Sequence, residues 1–357
     1  MKIPFIYVFL FFLILNSNPF FAQGFNKLKI GNKEKLGFSH EKLDSLTSFL
    51  KKSGSSSLII LSNGKAVLEW GQSNKKHTIH SIRKALLNSL LGIYITNGTI
   101  DTTKTLSDLK IDDISPKLTE QEKKATIADI LKSKSGVYHN AAAVSKGMLN
   151  KMPKRGSHYP GETYYYNNWG FNILGHILEQ QTGKSIYDLY YQHIAQPLEM
   201  DFVNEYSKIY VTKNEDVEIP DSHGFYQYEL EKSKYPAYHF RMSARDLALY
   251  GQLYLNKGKW KGRQIIPKEW IDYSVKPYSI TYKPAGLAYG ILWGVLMKTK
   301  NRPSNSFYHT GTGVHMLAIY PDSNMVLVHR VDTESDYTFS EDELYEMISL
   351  VWQSKID

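Results

Sequence analysis

The chain has no cysteine. That excludes disulfides, thiolate metal sites and the lipid anchor that a bacterial lipoprotein carries on a processed N-terminal cysteine. It also lacks a G-x-S-x-G nucleophile elbow and an H-E-x-x-H zinc helix, which removes two common routes to hydrolysis. His77 and His80 have a metal-like spacing, but no carboxylate cluster surrounds them, and no metal or organic cofactor is implied. Lysines are scattered rather than gathered into a basic run with interleaved aromatics, so nucleic acid is not an expected partner. There is no internal repeat and no low-complexity tract.

What remains is the balance of a globular protein: 357 residues, 42% hydrophobic and 22% charged. The first residues place Lys2 before an apolar run from Phe5 to Leu15, closed by Asn16, Asn18 and Pro19. That run is short for a membrane span and reads as a secretory signal over residues 1–22, cut after Ala22, with an uncleaved N-terminal anchor as the alternative. The expected location is periplasmic or secreted, with no stable membrane insertion after cleavage. Lys2 is the only charged side chain removed, so the net charge falls from +8 to +7, a field that favours anionic surroundings such as acidic polysaccharides.

Residues 40–52 carry Leu43, Leu46, Phe49 and Leu50 at helical spacing. Residues 57–71 form two β-rich runs around Asn63-Gly64, a dipeptide suited to the positive φ angles of a tight hairpin. From about 82 to 275 the periodicity is mostly helical: 82–96, 125–133, 168–183, 185–195 and 243–258. Residues 289–296 read as a strand, 315–331 as a hairpin turning at Pro321 to Asn324, and 340–353 as a helix with a Ser340/Glu343 capping box. The pattern predicts an α+β fold. An antiparallel sheet is built from both chain ends (about 40–80 and 285–357) and flanked by the terminal helices, with an inserted, mainly helical region at about 82–284.

Six serines precede a lysine by three residues: Ser39, Ser48, Ser62, Ser73, Ser81 and Ser107. Only Ser81 stands at the head of a strongly apolar helix, where Lys84 shares its face and free backbone amides suit a developing oxyanion. A crowded, buried Lys84 can lose its proton near neutral pH and act as a base. A second cluster, PGETYYYNNWG (160–170), delivers a phenol and an amide in either of two registers, Tyr165 with Asn167 or Tyr166 with Asn168. With 26 tyrosines in the chain, core packing competes with both. A third, His309-Thr310-Gly311, leads into an apolar strand; the glycine would let substrate approach the backbone, and the Thr312 amide would complete an oxyanion hole. Lys134-Ser135-Gly136 imitates the third cluster but follows a helix in mid-chain. Arg241 and Asp246 read as a surface or capping pair, and Tyr164 and Trp169 as pocket or core residues.

In this order and on these elements, the three clusters resemble the serine β-lactamase-like superfamily of class C β-lactamases, DD-peptidase penicillin-binding proteins, esterases and amidases. Tyr-Asn-Asn stands where class C relatives show Tyr-Ser-Asn or Tyr-Ala-Asn, and His-Thr-Gly where many show Lys-Thr-Gly. The likeness runs from about residue 40 to the C-terminus and includes ADILKSKSG (128–136) and the segment 243–271. The offset from Pro160-Gly161 selects Tyr166. The resemblance implies an acylated nucleophile at Ser81, an activating Lys84 and a Tyr166 general base that passes the proton to the leaving group. Asn168 would orient the substrate amide or Lys84, and His309 would take the third-motif lysine position beside Thr310 and Gly311. The backbone amides of Ser81 and Thr312 would form the oxyanion hole. A histidine in place of a permanent cation points toward esterase, amidase or DD-peptidase chemistry ahead of antibiotic hydrolysis, on a small-molecule, peptide or polymer-derived substrate. A non-catalytic sensor of the same fold is the competing expectation.

Overall fold

The computed structural model describes residues 28–212 and 218–356. The expected signal segment, residues 1–22, lies outside them. The main sheet has eight strands. From edge to edge they are Lys65–Gly71, Ser57–Ser62, Met325–Arg330, His315–Tyr320, Ser306–Gly311, Gly294–Leu296, Leu287–Tyr289 and Ser279–Tyr282. Every neighbouring pair is antiparallel. The Asn63-Gly64 turn has both residues at positive φ, 50° and 71°, as a two-residue hairpin requires.

Strand alternation sorts side chains to two cores. Ile59, Leu61, Leu317, Ile319, Val326 and Val328 face the helical region. Leu58, Ile60, Met316, Ala318 and Leu327 face the first helix, His40–Leu50, and the terminal helix, Glu341–Ser354. Because both faces are covered, the central strands read as continuous apolar runs. The terminal helix starts on the expected capping box, and Leu344, Met347 and Val351 are its buried stripe. On the other face the helix Ala244–Leu255 lies directly on the sheet. Gly251 permits this approach, since a Cβ there would stand 2.5 Å from Val326 Cγ1.

One expectation gains an addition and another needs correction. The inserted region is mainly helical, and it also supplies three strands of a four-stranded sheet ordered His77–Thr78, Ala237–Met242, Gly224–Tyr228 and Tyr206–Tyr210, whose last pair is parallel. These strands are two to six residues long and rich in tyrosine, so neither helical nor alternating periodicity announces them. The segment 289–296 is not one strand. It contains a reversal between Leu287–Tyr289 and Gly294–Leu296, with Leu292 at φ 58°.

Candidate active site

The apolar run after Ser81 folds as the helix Arg83–Thr96, in which every residue from Arg83 to Gly92 is buried. A helix enclosed on all sides belongs to the interior. Ser81 stands just ahead of it on a single 3₁₀ turn, His80–Ile82. His80 has φ 50°, a left-handed conformation that costs a non-glycine residue roughly 1–2 kcal/mol. Its Nε2 bonds Thr333 Oγ1 at 2.7 Å, and the strand Ser306–Gly311 packs against the turn from the other side. Gly311 makes that packing possible: a Cβ would lie 2.8 Å from the Ile79 carbonyl oxygen and 3.2 Å from His80 Cβ. The sequence pattern suggests substrate approach as the reason for this glycine; in the structure its missing side chain admits the turn that carries Ser81.

Lys84 is fully buried and its Nζ donates to Ser81 Oγ at 2.9 Å. The same nitrogen lies 4.9 Å from the ring centres of both Tyr166 and Phe171. Burial, and then the neighbouring Arg83 cation, hold its pKa well below the usual lysine value. Arg83 is itself buried, with Nη2 donating to Asn172 Oδ1 at 3.3 Å and its guanidinium 5.0 Å from the centre of the Tyr238 ring. The sequence reading passed over it, although a cation adjacent to Lys84 in an apolar run was the available signal.

Tyr166 is half-buried, edge-on to Phe171 at 4.8 Å and to Tyr289 at 6.0 Å. Burial pushes its phenol up to about 12, while the Ser81 side chain and Arg83 pull it down. Tyr165 turns away, its hydroxyl donating to the Met148 carbonyl at 2.9 Å. Asn167 caps the helix Asn168–Thr182 by accepting from Trp169 N, and donates to the Val137 carbonyl at 2.7 Å. Of the two registers, then, only Tyr166 meets the serine and lysine. Asn168 is buried, and its amide donates to the Ala143 carbonyl, leaving Oδ1 enclosed without a partner. It does not line the Ser81 cavity, so the structure brings only part of the second cluster to the site.

His309 is buried on the strand Ser306–Gly311, not on a loop leading into one. Its Nδ1 lies 2.8 Å from the Thr310 carbonyl, which assigns the proton there and leaves Nε2 as a buried acceptor without a partner. Burial, then Lys84, lowers its pKa to about 3. His309, exposed Thr310 and exposed Thr312 share with Ser81 and Tyr166 a cavity of about 340 Å³. Tyr164, Tyr289, Tyr308, Thr281, Ala288, Gly294 and Met148 complete its wall. Among the described residues, no lysine, arginine, aspartate or glutamate lines it. Tyr289 and Tyr308 were not singled out from sequence, because nothing local distinguishes them from the other tyrosines.

The remaining candidates have structural tasks. Ser135 caps its own loop through Val137 N, and Gly136, at φ 66°, admits the Tyr159-Pro160 backbone. His77 Nδ1 takes Arg330 Nη2 at 2.7 Å. Trp169 is core, donating to Asp113 Oδ2 at 2.7 Å. Arg241 and Asp246 are not a surface pair. Arg241 binds Glu334 at 2.8 Å, while Asp246 is buried at the start of the helix Ala244–Leu255 and accepts from Asp201 N. Glu334 also accepts from Thr78 N and Oγ1, both at 2.7 Å, tying down the strand that leads to Ser81.

A large antiparallel sheet carries helices on both faces, and the Ser81, Lys84 and Tyr166 cluster lies beside its central strand Ser306–Gly311. The family model described as beta-lactamase matches residues 51–345, and the chain belongs to that family. An uncharacterised protein of Alkalihalophilus pseudofirmus is 26% identical over 306 residues, covering 79% of this chain and 85% of the relative. A Bacillus anthracis protein assigned as a 6-aminohexanoate-dimer hydrolase superposes with a TM-score of 0.65 at 19% identity, over 92% of this chain and 87% of its own. EstCE1, a hydrolase with promiscuous acyltransferase activity, superposes with a TM-score of 0.62 at 13% identity, over 90% of this chain and 99% of its own. At such identities these two likenesses concern the fold.

Proposed function

We propose that this chain is a secreted serine hydrolase that cleaves an ester or amide through an acyl-Ser81 intermediate, and that its substrate brings no carboxylate close to either side of the scissile bond. The observation that carries the reading is a buried lysine amine 2.9 Å from a serine hydroxyl, packed between two aromatic rings and held toward its neutral form. A neutral amine there accepts the Ser81 proton as Oγ attacks the substrate carbonyl carbon. The backbone amides of Ser81 and Thr312 would receive the oxyanion. The Tyr166 phenol is protonated in the resting site, so Lys84 is the better first base. Tyr166 then serves as the acid that protonates the departing oxygen or nitrogen, and takes up the proton that Lys84 removed from Ser81. In deacylation Lys84 accepts a proton from the attacking water, and that proton passes to Ser81 Oγ as the acid departs.

The uncharged wall supports an ester or amide substrate over a β-lactam or a D-Ala-D-Ala peptide, both of which present a carboxylate. His309 stays neutral there, and burying an unpaired carboxylate is costly. A fluorophosphonate probe should label wild type at Ser81 and leave Ser81→Ala unlabelled. Chromogenic esters and anilides should turn over faster than a chromogenic cephalosporin. Labelling that survives Ser81→Ala would overturn the assignment, and stoichiometric labelling without turnover would favour a ligand-binding role.

A further inference from the structure

A second cleft lies on the helical region, away from Ser81. It has a volume of about 710 Å³, within the range of small-ligand sites, and shares no lining residue with the Ser81 cavity. One wall is the C-terminal half of the helix Asn168–Thr182, where Glu179 stands eleven residues beyond Asn168, roughly 16 Å along the axis. The opposite wall is the parallel strand pair Tyr206–Tyr210 and Gly224–Tyr228. We propose that this cleft is a binding site for an acidic saccharide, a segment of a uronate-bearing chain.

Four ammonium groups ring the cleft, on Lys110, Lys184, Lys208 and Lys234, against the single carboxylate of Glu179. The four come from separate stretches of chain, so the fold, not a basic run, assembles the positive field. Lys184 Nζ is held by the neutral Gln192 at 3.1 Å, and Lys234 Nζ lies 5.1 Å from the centre of the Tyr235 ring. Neither of these two partners carries a charge, although the Asp188 carboxylate also acts on Lys184 and that of Glu179 on Lys208, so part of the field is offset.

Between the lysines the walls are aromatic. Tyr206 is 41% exposed although its ring is stacked on the buried Tyr187 at 4.9 Å and meets Tyr226 edge-on at 5.6 Å. It is therefore a braced platform with one free face, as an apolar sugar face requires. On the neighbouring strand, Tyr228 is stacked on Tyr210 at 4.9 Å and extends the platform.

Glu179 favours a saccharide over a DNA backbone. Its Oε1 accepts from the Tyr226 hydroxyl and from Ile186 N, which fixes the carboxylate in the wall of the cleft. A carboxylate in a site for anions needs donors from the ligand. Saccharide hydroxyls supply them, whereas a DNA backbone supplies only acceptors.

The site is independent of the reaction assigned to Ser81, and its test is binding. Isothermal titration of the full chain with hexagalacturonate, at an ionic strength of about 50 mM, should give saturable binding that weakens with added salt. Cellohexaose and a hexathymidylate should bind markedly less well. Lys208→Glu/Lys234→Glu should lose affinity on the order of tenfold, and Tyr206→Ala a comparable amount. The double variant should keep the wild-type melting temperature, Tyr206→Ala should melt a few degrees lower but stay folded at the assay temperature, and both should keep the wild-type rate on a small chromogenic ester. No binding of hexagalacturonate, equal binding of cellohexaose, tighter binding of hexathymidylate, or unchanged affinity in the double variant would each overturn the proposal.

Discussion

Replacing Tyr166 with phenylalanine separates proton delivery from nucleophile activation. The substitution removes one oxygen and keeps the ring that packs edge-on to Phe171 and Tyr289 and covers Lys84 Nζ at 4.9 Å. The lost hydroxyl interacts with the Ser81 side chain, a hydrogen bond of about 1 kcal/mol, so the fold should survive with a melting temperature shift of only a few degrees. The rate effect depends on the leaving group. A phenol held near 12 is a useful acid for an alkoxide or amine, which cannot depart unprotonated. General acid catalysis contributes typically 10²- to 10⁴-fold, about 2.7–5.5 kcal/mol of barrier. Tyr166→Phe should therefore lower kcat/KM by that factor on an alkyl ester or an anilide. On a p-nitrophenyl ester, whose phenolate departs without a proton, the loss should be about tenfold or less. Steady-state rates on a matched pair with the same acyl group provide the assay. Equal losses on both substrates would refute the assignment of Tyr166 as the acid, and losses under about threefold on both would remove it from the chemistry.

Two further outcomes follow from the same geometry. Gly311→Ala should drive a methyl group into the Ile79 carbonyl and displace the Ser81 turn, lowering kcat by roughly 10- to 100-fold while the global unfolding midpoint stays close to wild type. A fully active variant would show that the turn does not depend on this strand. Asp246 tests the electrostatics of the core: burial raises its pKa from 3.8 to about 7, so the folded chain keeps a proton that the unfolded chain releases. Its contribution is present below pH 4 and is lost as pH rises through 7, by up to about 4 kcal/mol. Asp246→Asn should flatten the fall in urea-unfolding stability between pH 5 and 8 relative to wild type, and parallel profiles would contradict the assignment.

Much of the architecture is legible in local pattern. The Asn63-Gly64 hairpin, the capped terminal helix and the helical stripes of 40–50 and 244–255 depend on neighbours two to four residues apart, and a linear reading sees those directly. The Ser81–Lys84 contact was readable because an apolar helix follows Ser81. The other serines with the same spacing have plain duties: Ser39 caps a helix, Ser62 ends a buried strand, and Ser73 donates to Glu69. The tyrosine strands of the small sheet were not readable. They are short, and their partners lie up to 165 residues away, as for His77 and the Met242 it faces.

By itself, then, the sequence determined the order of the elements, the two-ended sheet and the family to which the serine, tyrosine and histidine clusters point, because each rests on local periodicity or on residues adjacent in the chain. Tertiary structure alone decided how those residues work. It buried Lys84 beside Arg83 so that its amine is held toward neutrality, turned Asn168 toward the Ala143 carbonyl, gave Gly311 to the nucleophile turn, and closed the cavity with Tyr289 and Tyr308. The physical reason is that desolvation and pKa depend on everything packed around a group, and most of what surrounds Ser81 arrives from residues 164–312.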